Sequence, residues 1–245
     1  MMKLSDFAAL TFDCYGTLID WEQGLLNALR PWVASHGLTL SDDEILETFA
    51  DIEPRHQAQM PDKPYPQVLQ SVYFELAARW EIPATDNDAL AFGGSIGRWP
   101  AFADTAPALQ YLKQYYKLVI LSNVDRASFA ESNKALGVSF DKIITAQDVG
   151  SYKPDPRNFE VLIKALAEMG VTKSGILHTA QSLFHDIVPA KAAGLAAVWV
   201  NRRRGKAGGG ATAKLSEPVS PDLEVASLAD LVKLHRAEIE TLTRK

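Results

Sequence analysis

Four polar positions spread along the chain could together perform nucleophilic chemistry. The first is Asp13 in "LTFDCYGTLID", where an apolar run stops at the aspartate. Gly16 permits the sharp turn that follows, and Thr17 can hold a carboxylate or a bound anion through its hydroxyl and backbone N–H. Such a carboxylate can act as a nucleophile. Taken alone, the same residues would also suit an aspartate that caps a turn.

The second and third positions supply hydrogen-bond donors and a positive charge. Ser122 and Asn123 end a second apolar run, and both can donate hydrogen bonds to an anionic substrate. Lys153 lies in "GSYKPDP", whose prolines restrict the loop. Such a loop can aim the ammonium at a carboxylate and keep an aspartate ionised. Each feature alone is also typical of an ordinary turn or a surface lysine.

The fourth position is Asp186 in "HTAQSLFHDIVPAKAAG", a stretch that predicts a strand, a polar turn and the start of a helix. Asp186 could orient Lys153 or a water molecule, and the alternative is that it caps the helix that begins there. His185 could serve as a general base for water or contact Asp186, although a histidine at a buried turn is more often structural.

These positions need a scaffold that brings them together, and the rest of the pattern predicts one. Buried parallel strands are indicated, the last of them weakly, at Phe7–Phe12, Leu118–Ser122, Ile176–Thr179, Ala196–Val200 and Lys142–Thr145. Helical patterns lie between them, at Thr105–Tyr115, Ala127–Leu136, Asn158–Met169 and Asp186–Ala193. This alternation predicts an α/β fold with a doubly wound parallel sheet, in which the carboxyl ends of the strands form the site.

Residues 21–98 interrupt the alternation. They carry amphipathic helical patterns and no convincing strand, with helices indicated at Gly24–Ser35, Ser41–Ile52 and Pro66–Trp80. We therefore predict a helical cap domain at 21–98, inserted into a core that consists of residues 1–20 and 99–245. The stretch "RWPAF" would form the return hinge, because Pro100 disfavours helix in the residue before it.

The composition is that of an ordinary soluble globular protein, with 245 residues of which 47% are hydrophobic and 22% charged. The net charge of −5 offers no general attraction to nucleic acid or to an anionic membrane. No apolar run is long enough to span a bilayer, and the N-terminus lacks a secretory-signal pattern. The single cysteine, Cys14, excludes an internal disulfide and is typical of the reducing cytoplasm. We expect Cys14 to be a small buried hydrophobe, and the glycine-rich basic stretch 201–214 to be a mobile surface loop.

The order and spacing of these stretches resemble the haloacid dehalogenase superfamily. The resemblance rests on "DCYGT", "LSN", "YKPDP" and a final "HD" in a strand–turn–helix, with a helical cap after the first stretch. It spans essentially the whole chain apart from the glycine-rich loop and the last helix. It implies a Rossmann-like core, Asp13 as the nucleophile, and a homodimer.

Most members of that superfamily are magnesium-dependent phosphatases, and this sequence differs from them at two positions. Those phosphatases carry a second aspartate two residues after the nucleophile as a general acid, where this chain has Tyr15. They also carry a metal-binding aspartate in the fourth stretch, where this chain has Gln181. An amide is a poor ligand for Mg²⁺, and a neutral phenol is a poor proton donor near pH 7. The sequence thus argues against a phosphatase and predicts a reaction without a metal or another cofactor.

The pattern resembles the (S)-2-haloacid dehalogenase branch, which has tyrosine at the position of Tyr15. By that resemblance, Asp13 displaces halide from carbon 2 of a small carboxylic acid, and Lys153 neutralises Asp13. Asp186 assists the water that hydrolyses the aspartyl ester. The residues expected to position the carboxylates are Thr17, Ser122 and Asn123.

The resemblance also implies that an arginine of the cap receives the halide or the substrate carboxylate. The candidates are Arg55 in "EPRHQAQ" and Arg98 at the hinge, although either could be an ordinary surface arginine. The other residues expected to contact the substrate are Tyr15, Trp21, Trp99, Gln181 and His185.

The match to the dehalogenases is incomplete. Phe159 stands where they have a tyrosine, and "AQSLFHD" differs from their fourth stretch. The branch also includes ring-opening hydrolases of cyclic imino acids such as azetidine-2-carboxylate, which "LTFDCYGTLIDW" and "ITAQDVGSYKP" resemble. A leaving amine needs a proton or a prior positive charge, and the polar groups around His185 would suit that need. A ring-opening hydrolase, an unusual phosphatase and a non-catalytic binding module therefore stay open as alternatives.

Overall fold

The computed structural model describes residues 2–215 and 217–243, and within them the chain forms a six-stranded sheet in the order β3-β2-β1-β4-β5-β6. Every neighbouring pair of strands is parallel. The strands are β1 (Ala9–Phe12), β2 (Lys117–Ser122), β3 (Lys142–Thr145), β4 (Ile176–Ala180), β5 (Ala196–Val200) and β6 (Leu223–Val225). The predicted parallel sheet is confirmed, and β6 is a strand that the sequence pattern did not indicate.

The central strands are apolar throughout because both faces of the sheet are covered. Leu10 and Phe12 of β1 lie in one hydrophobic core, and Ala9 lies in a second core on the other face. Adjacent residues of β2 divide in the same way, with Leu118 in the first core and Val119 in the second. This alternation follows from the two-residue period of a strand and confirms a doubly wound sheet.

Helices connect the strands and cover both faces. Those outside residues 21–98 are α5 (Thr105–Leu112), α6 (Arg126–Asn133), α7 (Ala146–Val149), α8 (Arg157–Glu168), α9 (Val188–Ala192) and α10 (Leu228–Thr243). A π-helical turn, Leu183–Ile187, directly precedes α9. The helix predicted at Asp186–Ala193 therefore begins earlier than expected, since Ser182 caps the first turn by accepting the His185 N–H. Asp186 consequently lies inside that turn and is not its cap.

Four helices occupy the stretch between β1 and α5, namely α1 (Trp21–Ser35), α2 (Asp42–Gln59), α3 (Tyr65–Trp80) and α4 (Asp86–Gly93). We refer to residues 21–93 as the helical insertion. Asp20 caps α1 by accepting the Gln23 N–H, and Ser41 forms a capping box with Glu44 at the start of α2. The predicted helices of this region are confirmed with longer ends, and the exact cap boundaries at 21 and 98 stay a prediction.

The basic loop, residues 201–214, packs against the helical insertion, which differs from the mobile surface loop that we expected. Arg203 donates to Glu22 of α1 at 2.7 Å and to Asp43 of α2 at 2.9 Å. The Gly209 N–H donates to Glu47 of α2 at 2.8 Å. The loop therefore connects the end of β5 to two helices of the insertion.

None of the helices in the described ranges is both long and apolar enough to cross a membrane. Cys14 is buried as expected. Burial raises the pKa of its thiol well above the usual value, so the side chain stays protonated and acts as a small hydrophobe.

Candidate active site

Strand β1 ends directly before Asp13, so the carboxyl end of the central sheet presents this side chain. The turn after it is tight, because the Cys14 carbonyl accepts the Leu18 N–H at 2.7 Å. Gly16 has φ of +90°, a conformation that a side chain would strain. Thr17, from the same turn, donates its hydroxyl to Asp13 Oδ2 at 2.8 Å. The turn therefore orients the Asp13 carboxylate.

Lys153 lies between two carboxylates. Its Nζ donates to Asp13 Oδ1 at 2.9 Å, to Asp186 Oδ1 at 2.6 Å and to the Leu121 carbonyl at 2.9 Å. The side chain is only 1% exposed, so these contacts use all three ammonium protons away from water. Asn123 anchors the backbone of the lysine, accepting its N–H at 2.6 Å and donating to its carbonyl at 2.9 Å. Asn123 was expected to position carboxylates, and here it holds the loop that carries Lys153.

Asp13, Lys153 and Asp186 shift one another's pKa values. Burial, reinforced by the charge of Asp186, raises the pKa of Asp13 despite the opposing effect of Lys153. Burial would lower the pKa of Lys153, but the two carboxylates outweigh it and the pKa lies above its ordinary value. Burial would likewise raise the pKa of Asp186, but Lys153 and His178 outweigh it and the pKa is lowered. Asp13 is therefore the more basic carboxylate of the two, which suits it to be the nucleophile.

Asp186 keeps one oxygen free. Its Oδ1 receives Lys153 and also lies 2.9 Å from His178 Nε2. Its Oδ2 is buried and has no hydrogen-bond partner among the residues that the structure describes. A buried carboxylate oxygen without a donor is costly, and a water molecule beside it would satisfy the oxygen. His178 was not predicted as a site residue, because it lies within the short apolar stretch Ile176–Thr179, which predicted only a buried strand.

His185 is neutral and partly unpartnered. Its Nδ1 lies 3.2 Å from the Ser182 hydroxyl, which already accepts the His185 N–H. Either the hydroxyl or Nδ1 can be the donor of this second hydrogen bond, depending on the tautomer of the ring. Nε2 is buried with no partner within the described part of the chain, and burial lowers the pKa of the ring to about 4. His185 thus offers the site a neutral imidazole near pH 7.

These groups surround a small cavity of about 30 Å³. The residues that line it are Asp13, Tyr15, Trp21, Glu53, Gln57, Tyr65, Asn123, Lys153, Ser182, His185 and Asp186. Four of the predicted residues thus meet in a single cavity, namely Asp13, Asn123, Lys153 and Asp186, and residues of the helical insertion cover it.

Three polar residues of the insertion line the cavity and were missed by the sequence analysis. Glu53 is 3% exposed, and its Oε1 accepts the Tyr65 hydroxyl at 3.1 Å and the Gln57 amide. Gln57 in turn accepts from Asn123 Nδ2 at 3.2 Å, which joins the insertion to the core. Burial raises the pKa of Glu53 from 4.5 to about 7.

Arg55, expected to receive the halide or the substrate carboxylate, does not reach the cavity. Its side chain is 49% exposed and donates to Glu75 at 2.6 Å. Residues two apart lie about 200° apart around an α-helix, so Arg55 faces away when Glu53 and Gln57 face inward. The four-residue spacing of Phe49, Glu53 and Gln57 was the signal that could have identified the inner face.

Arg98, the second candidate, also lies outside the cavity. Its side chain is exposed, and Nη1 donates to the Gly94 carbonyl at 3.4 Å. Among residues 2–215 and 217–243, the cavity lining therefore includes no arginine.

The aromatic residues form walls. Trp21 lines the cavity directly, whereas Trp99 lies behind Tyr15, with ring centroids 5.5 Å apart in an edge-to-face arrangement. The Tyr15 hydroxyl lies 2.9 Å from the Ser132 hydroxyl. Burial raises the pKa of Tyr15 well above its usual value. Tyr15 is therefore a wall of the cavity and a poor proton donor.

Ser122 and Gln181 do not line the cavity. The Ser122 hydroxyl at the end of β2 is buried and lacks a partner among the described residues. The Gln181 side chain accepts the Thr212 hydroxyl at 3.1 Å, in the direction of the basic loop. Its backbone N–H donates to Thr17 Oγ1 at 2.9 Å and thereby fixes the threonine that holds Asp13.

The residues present do not fit the magnesium site of the related phosphatases. Lys153 and Thr17 occupy the two oxygens of Asp13, and the Gln181 amide lies against Thr212. In the described ranges, no group of three or more His, Cys, Asp or Glu side chains is arranged to hold a metal. Mg²⁺ prefers six hard oxygen ligands, which this set does not supply.

Comparison with known sequences identifies relatives of the chain. A family model described as haloacid dehalogenase-like hydrolase matches residues 7–194. An (S)-2-haloacid dehalogenase from Pseudomonas putida is 33% identical over 107 residues, which cover 42% of this chain and 45% of that protein. A second, from Pseudomonas sp. (strain YL), is 32% identical over 142 residues, or 56% of each chain. The chain thus spans about half the length of these curated relatives.

Solved structures show the same fold. The L-2-haloacid dehalogenase from Xanthobacter autotrophicus superposes with a TM-score of 0.76 at 19% identity, covering 94% of this chain and 98% of that chain. The same protein with chloropropionic acid covalently bound gives a TM-score of 0.73.

Proposed function

Since this chain belongs to the haloacid dehalogenase-like hydrolase family, we propose that it hydrolyses small 2-substituted carboxylic acids, with (S)-2-haloacids as the substrate class. Asp13 displaces halide from carbon 2, and the intermediate is an aspartyl ester. The curated relatives, matched over about half their length, support this substrate class. The covalent chloropropionic acid in a structural neighbour is consistent with a nucleophilic side chain in this fold.

The observation that carries the proposal is the fixed, charge-paired carboxylate of Asp13 at the cavity wall. Lys153 lies 2.9 Å from one oxygen and Thr17 lies 2.8 Å from the other. The lysine favours the ionised form of the carboxylate, while burial limits its solvation and preserves its nucleophilicity. A positioned carboxylate of this kind attacks a bound carbon far more efficiently than one free in solution.

In the first step, an Asp13 oxygen bonds to carbon 2 while the carbon–halogen bond breaks. The halide departs with the bonding electron pair and needs no proton. This agrees with a cavity that has no general acid at this position, because Tyr15, a neutral and poor proton donor, stands where the related phosphatases have an aspartate. Inversion at carbon 2 follows from attack opposite the leaving group.

In the second step, water attacks the carbonyl carbon of the Asp13 ester. The free Oδ2 of Asp186 orients this water and accepts its proton. Lys153 Nζ, beside Asp13 Oδ1, stabilises the oxyanion. The bond from the Asp13 carbonyl carbon to the ester oxygen breaks, and the proton held by Asp186 passes to that oxygen as the 2-hydroxy acid leaves. One water oxygen stays in Asp13, which releases the second water proton to solvent and regains its carboxylate.

Halide release from 2-chloropropionate and chloroacetate, with and without EDTA, tests the proposal. We expect release that the chelator does not change and that Asp13→Asn abolishes. In ¹⁸O-labelled water, mass spectrometry should find the label in the peptide that contains Asp13. Mg²⁺-dependent hydrolysis of nitrophenyl phosphate without any halide release would overturn the proposal in favour of a phosphatase.

A further inference from the structure

Arg202 contacts the turn that carries Asp13, residues 13–18, without lining the cavity. It lies two residues after the end of β5, and its side chain is only 10% exposed. Nη2 donates to the Thr17 carbonyl at 2.8 Å, and Nε donates to the same oxygen at 3.3 Å. Nη1 donates to the two oxygens of Asp104 at 2.8 and 3.0 Å. The guanidinium therefore joins the acid that precedes α5 to the backbone of the turn.

Thr17 is fully buried, and each of its polar groups takes part in a hydrogen bond. The hydroxyl donates to Asp13 Oδ2 at 2.8 Å and accepts the Gln181 N–H at 2.9 Å. The backbone N–H donates to the Cys14 carbonyl at 3.3 Å. Among the described residues, the Thr17 carbonyl accepts from Arg202 alone. Arg202 therefore holds one side of the residue whose other side orients Asp13.

A charged donor fixes a buried carbonyl firmly. Hydrogen bonds from a guanidinium are stronger than those between neutral groups, and its planar array of donors fixes their direction as well as their length. Without Arg202, the Thr17 carbonyl would be buried without a donor, which is costly, and the turn would move to find one. Gly16, directly before Thr17, has no side chain to resist that movement. Because the carbonyl and the hydroxyl belong to one residue, the movement would also displace the hydroxyl from Asp13.

We propose that Arg202 is a positioning residue for the nucleophile. It holds Thr17 so that the threonine hydroxyl stays on Asp13 Oδ2 while Lys153 holds Oδ1. This inference rests on the proposed attack by Asp13. Arg202 acts through Thr17 and not on the substrate, because its side chain does not line the cavity and lies against the Phe102 ring, with Cζ 4.0 Å from the ring centroid.

Kinetics of the full chain with 2-chloropropionate test this role. Arg202→Met should lower kcat by roughly tenfold to a hundredfold and leave KM within about twofold, because a displaced nucleophile slows bond formation without weakening substrate binding. The acidic limb of the pH profile of kcat/KM should move to higher pH, since the Thr17 hydroxyl lowers the pKa of Asp13. Thr17→Val should move it the same way. Adding Arg202→Met to Thr17→Val should then change kcat by less than about twofold, and independent, multiplicative effects would overturn the proposal.

Two control variants separate positioning from stability. Asp104→Asn removes the ion pair but leaves Arg202 on the Thr17 carbonyl, so it should lower the urea midpoint and leave the acidic limb in place. Arg204→Met changes an exposed arginine that pairs with Glu224 and should change neither. Arg202→Lys, which keeps a cation beside Asp104 but lacks the planar array of donors, replaces Arg202→Met if the methionine variant is unstable. Equal losses of kcat in Asp104→Asn and the Arg202 variant, with the limb unmoved in both, would reduce Arg202 to a purely stabilising residue.

The titration of Asp13 by NMR tests the role of Arg202 without any substrate. Protein labelled with ¹³C at the aspartate carboxyl carbons identifies the Asp13 signal by comparison with Asp13→Asn. Arg202→Met should raise the titration midpoint of Asp13 by about one pH unit, and Arg204→Met should leave it unchanged. A raised midpoint in a protein that releases no halide supports the positioning of Asp13 and rejects the proposed function. An unchanged midpoint with halide release intact rejects the role of Arg202 and keeps the proposed function.

Discussion

The imidazole of His178 lies between the Thr11 hydroxyl, 2.8 Å from Nδ1, and Asp186 Oδ1, 2.9 Å from Nε2. Thr11 and His178 pair in register across β1 and β4, so the ring is held within the sheet itself. An ionised carboxylate only accepts hydrogen bonds, so Nε2 carries a proton and donates to Asp186. His178 thereby positions Asp186 with its Oδ2 free.

We expect His178→Leu to slow hydrolysis of the aspartyl ester more than its formation. The variant loses a hydrogen bond to a charged group, which corresponds to a decrease of about tenfold in the rate of ester cleavage. Rapid quenching followed by mass spectrometry should show the Asp13 adduct accumulating. Thr11→Val, which keeps the contact of His178 with Asp186, should have a smaller effect. Slower adduct formation with no accumulation would contradict this role.

We expect Lys153→Met to destabilise the fold strongly, because it leaves Asp13 and Asp186 buried without their shared cation. Breaking a buried ion pair from one side costs about 3–5 kcal/mol. Urea unfolding at neutral pH measures the loss, and Lys164→Met, on an exposed lysine of α8, is the control. Adding Asp13→Asn to Lys153→Met should recover about 1–2 kcal/mol, since one uncompensated charge is removed. No recovery would show that the two residues are not energetically coupled.

Glu53 should make the stability of the fold fall as pH rises through 7. Burial raises its pKa from 4.5 to about 7, so its contribution is fully present below pH 4.5 and is lost above pH 7. Glu53→Gln stays neutral, and its stability relative to the wild type should therefore increase by up to about 3 kcal/mol between pH 5 and about 8.5. Unfolding midpoints across this range measure the difference. Glu75→Gln should show no such trend, since the pKa of Glu75 lies below its ordinary value.

Arg203 should influence substrate affinity from outside the cavity. Its pairs with Glu22 and Asp43 join the basic loop to α1 and α2. We expect Arg203→Ala to raise KM by roughly threefold to tenfold, with kcat within about twofold, and to speed tryptic cleavage of the loop. Arg204→Ala is the matched control, because Arg204 pairs only with Glu224 among the described residues. Unchanged KM and cleavage would show that the loop does not restrain the insertion.

The sheet and the core of the site were predictable because their signals are local. Each of the expected strands is a short apolar run, and Asp13 and Asn123 follow directly from the ends of two of them. In a parallel sheet those ends share one edge, so their side chains had to lie close together. The contact between Lys153 and Asp13 could be predicted on the single assumption that the loop carrying Lys153 faces the carboxyl edge of the sheet.

The wall from the helical insertion was not predictable to the same degree. The sequence analysis favoured Arg55 because of its charge. The orientation of α2 about its axis decides which of its side chains reaches the cavity, and Glu53 does so where Arg55 does not. The packing of the basic loop depends on contacts such as Arg203 with Glu22, which are far apart in sequence and leave no local pattern. The three-residue strand β6 was too short to be recognised from periodicity.

The proposed nucleophile, Asp13, and its ionic partners come from strand-end turns, whereas the facing acid, Glu53, comes from the middle of α2. The hydrogen bond from Asn123 to Gln57 spans the boundary between them. Under the proposed mechanism, bond making and substrate discrimination are encoded by separate segments of the chain. A mutant library confined to the inward positions of α2 and α3 would vary the wall that faces the substrate and leave Asp13 unchanged. Its variants could be screened on substrates with different leaving groups, which makes this protein a practical starting point for directed evolution.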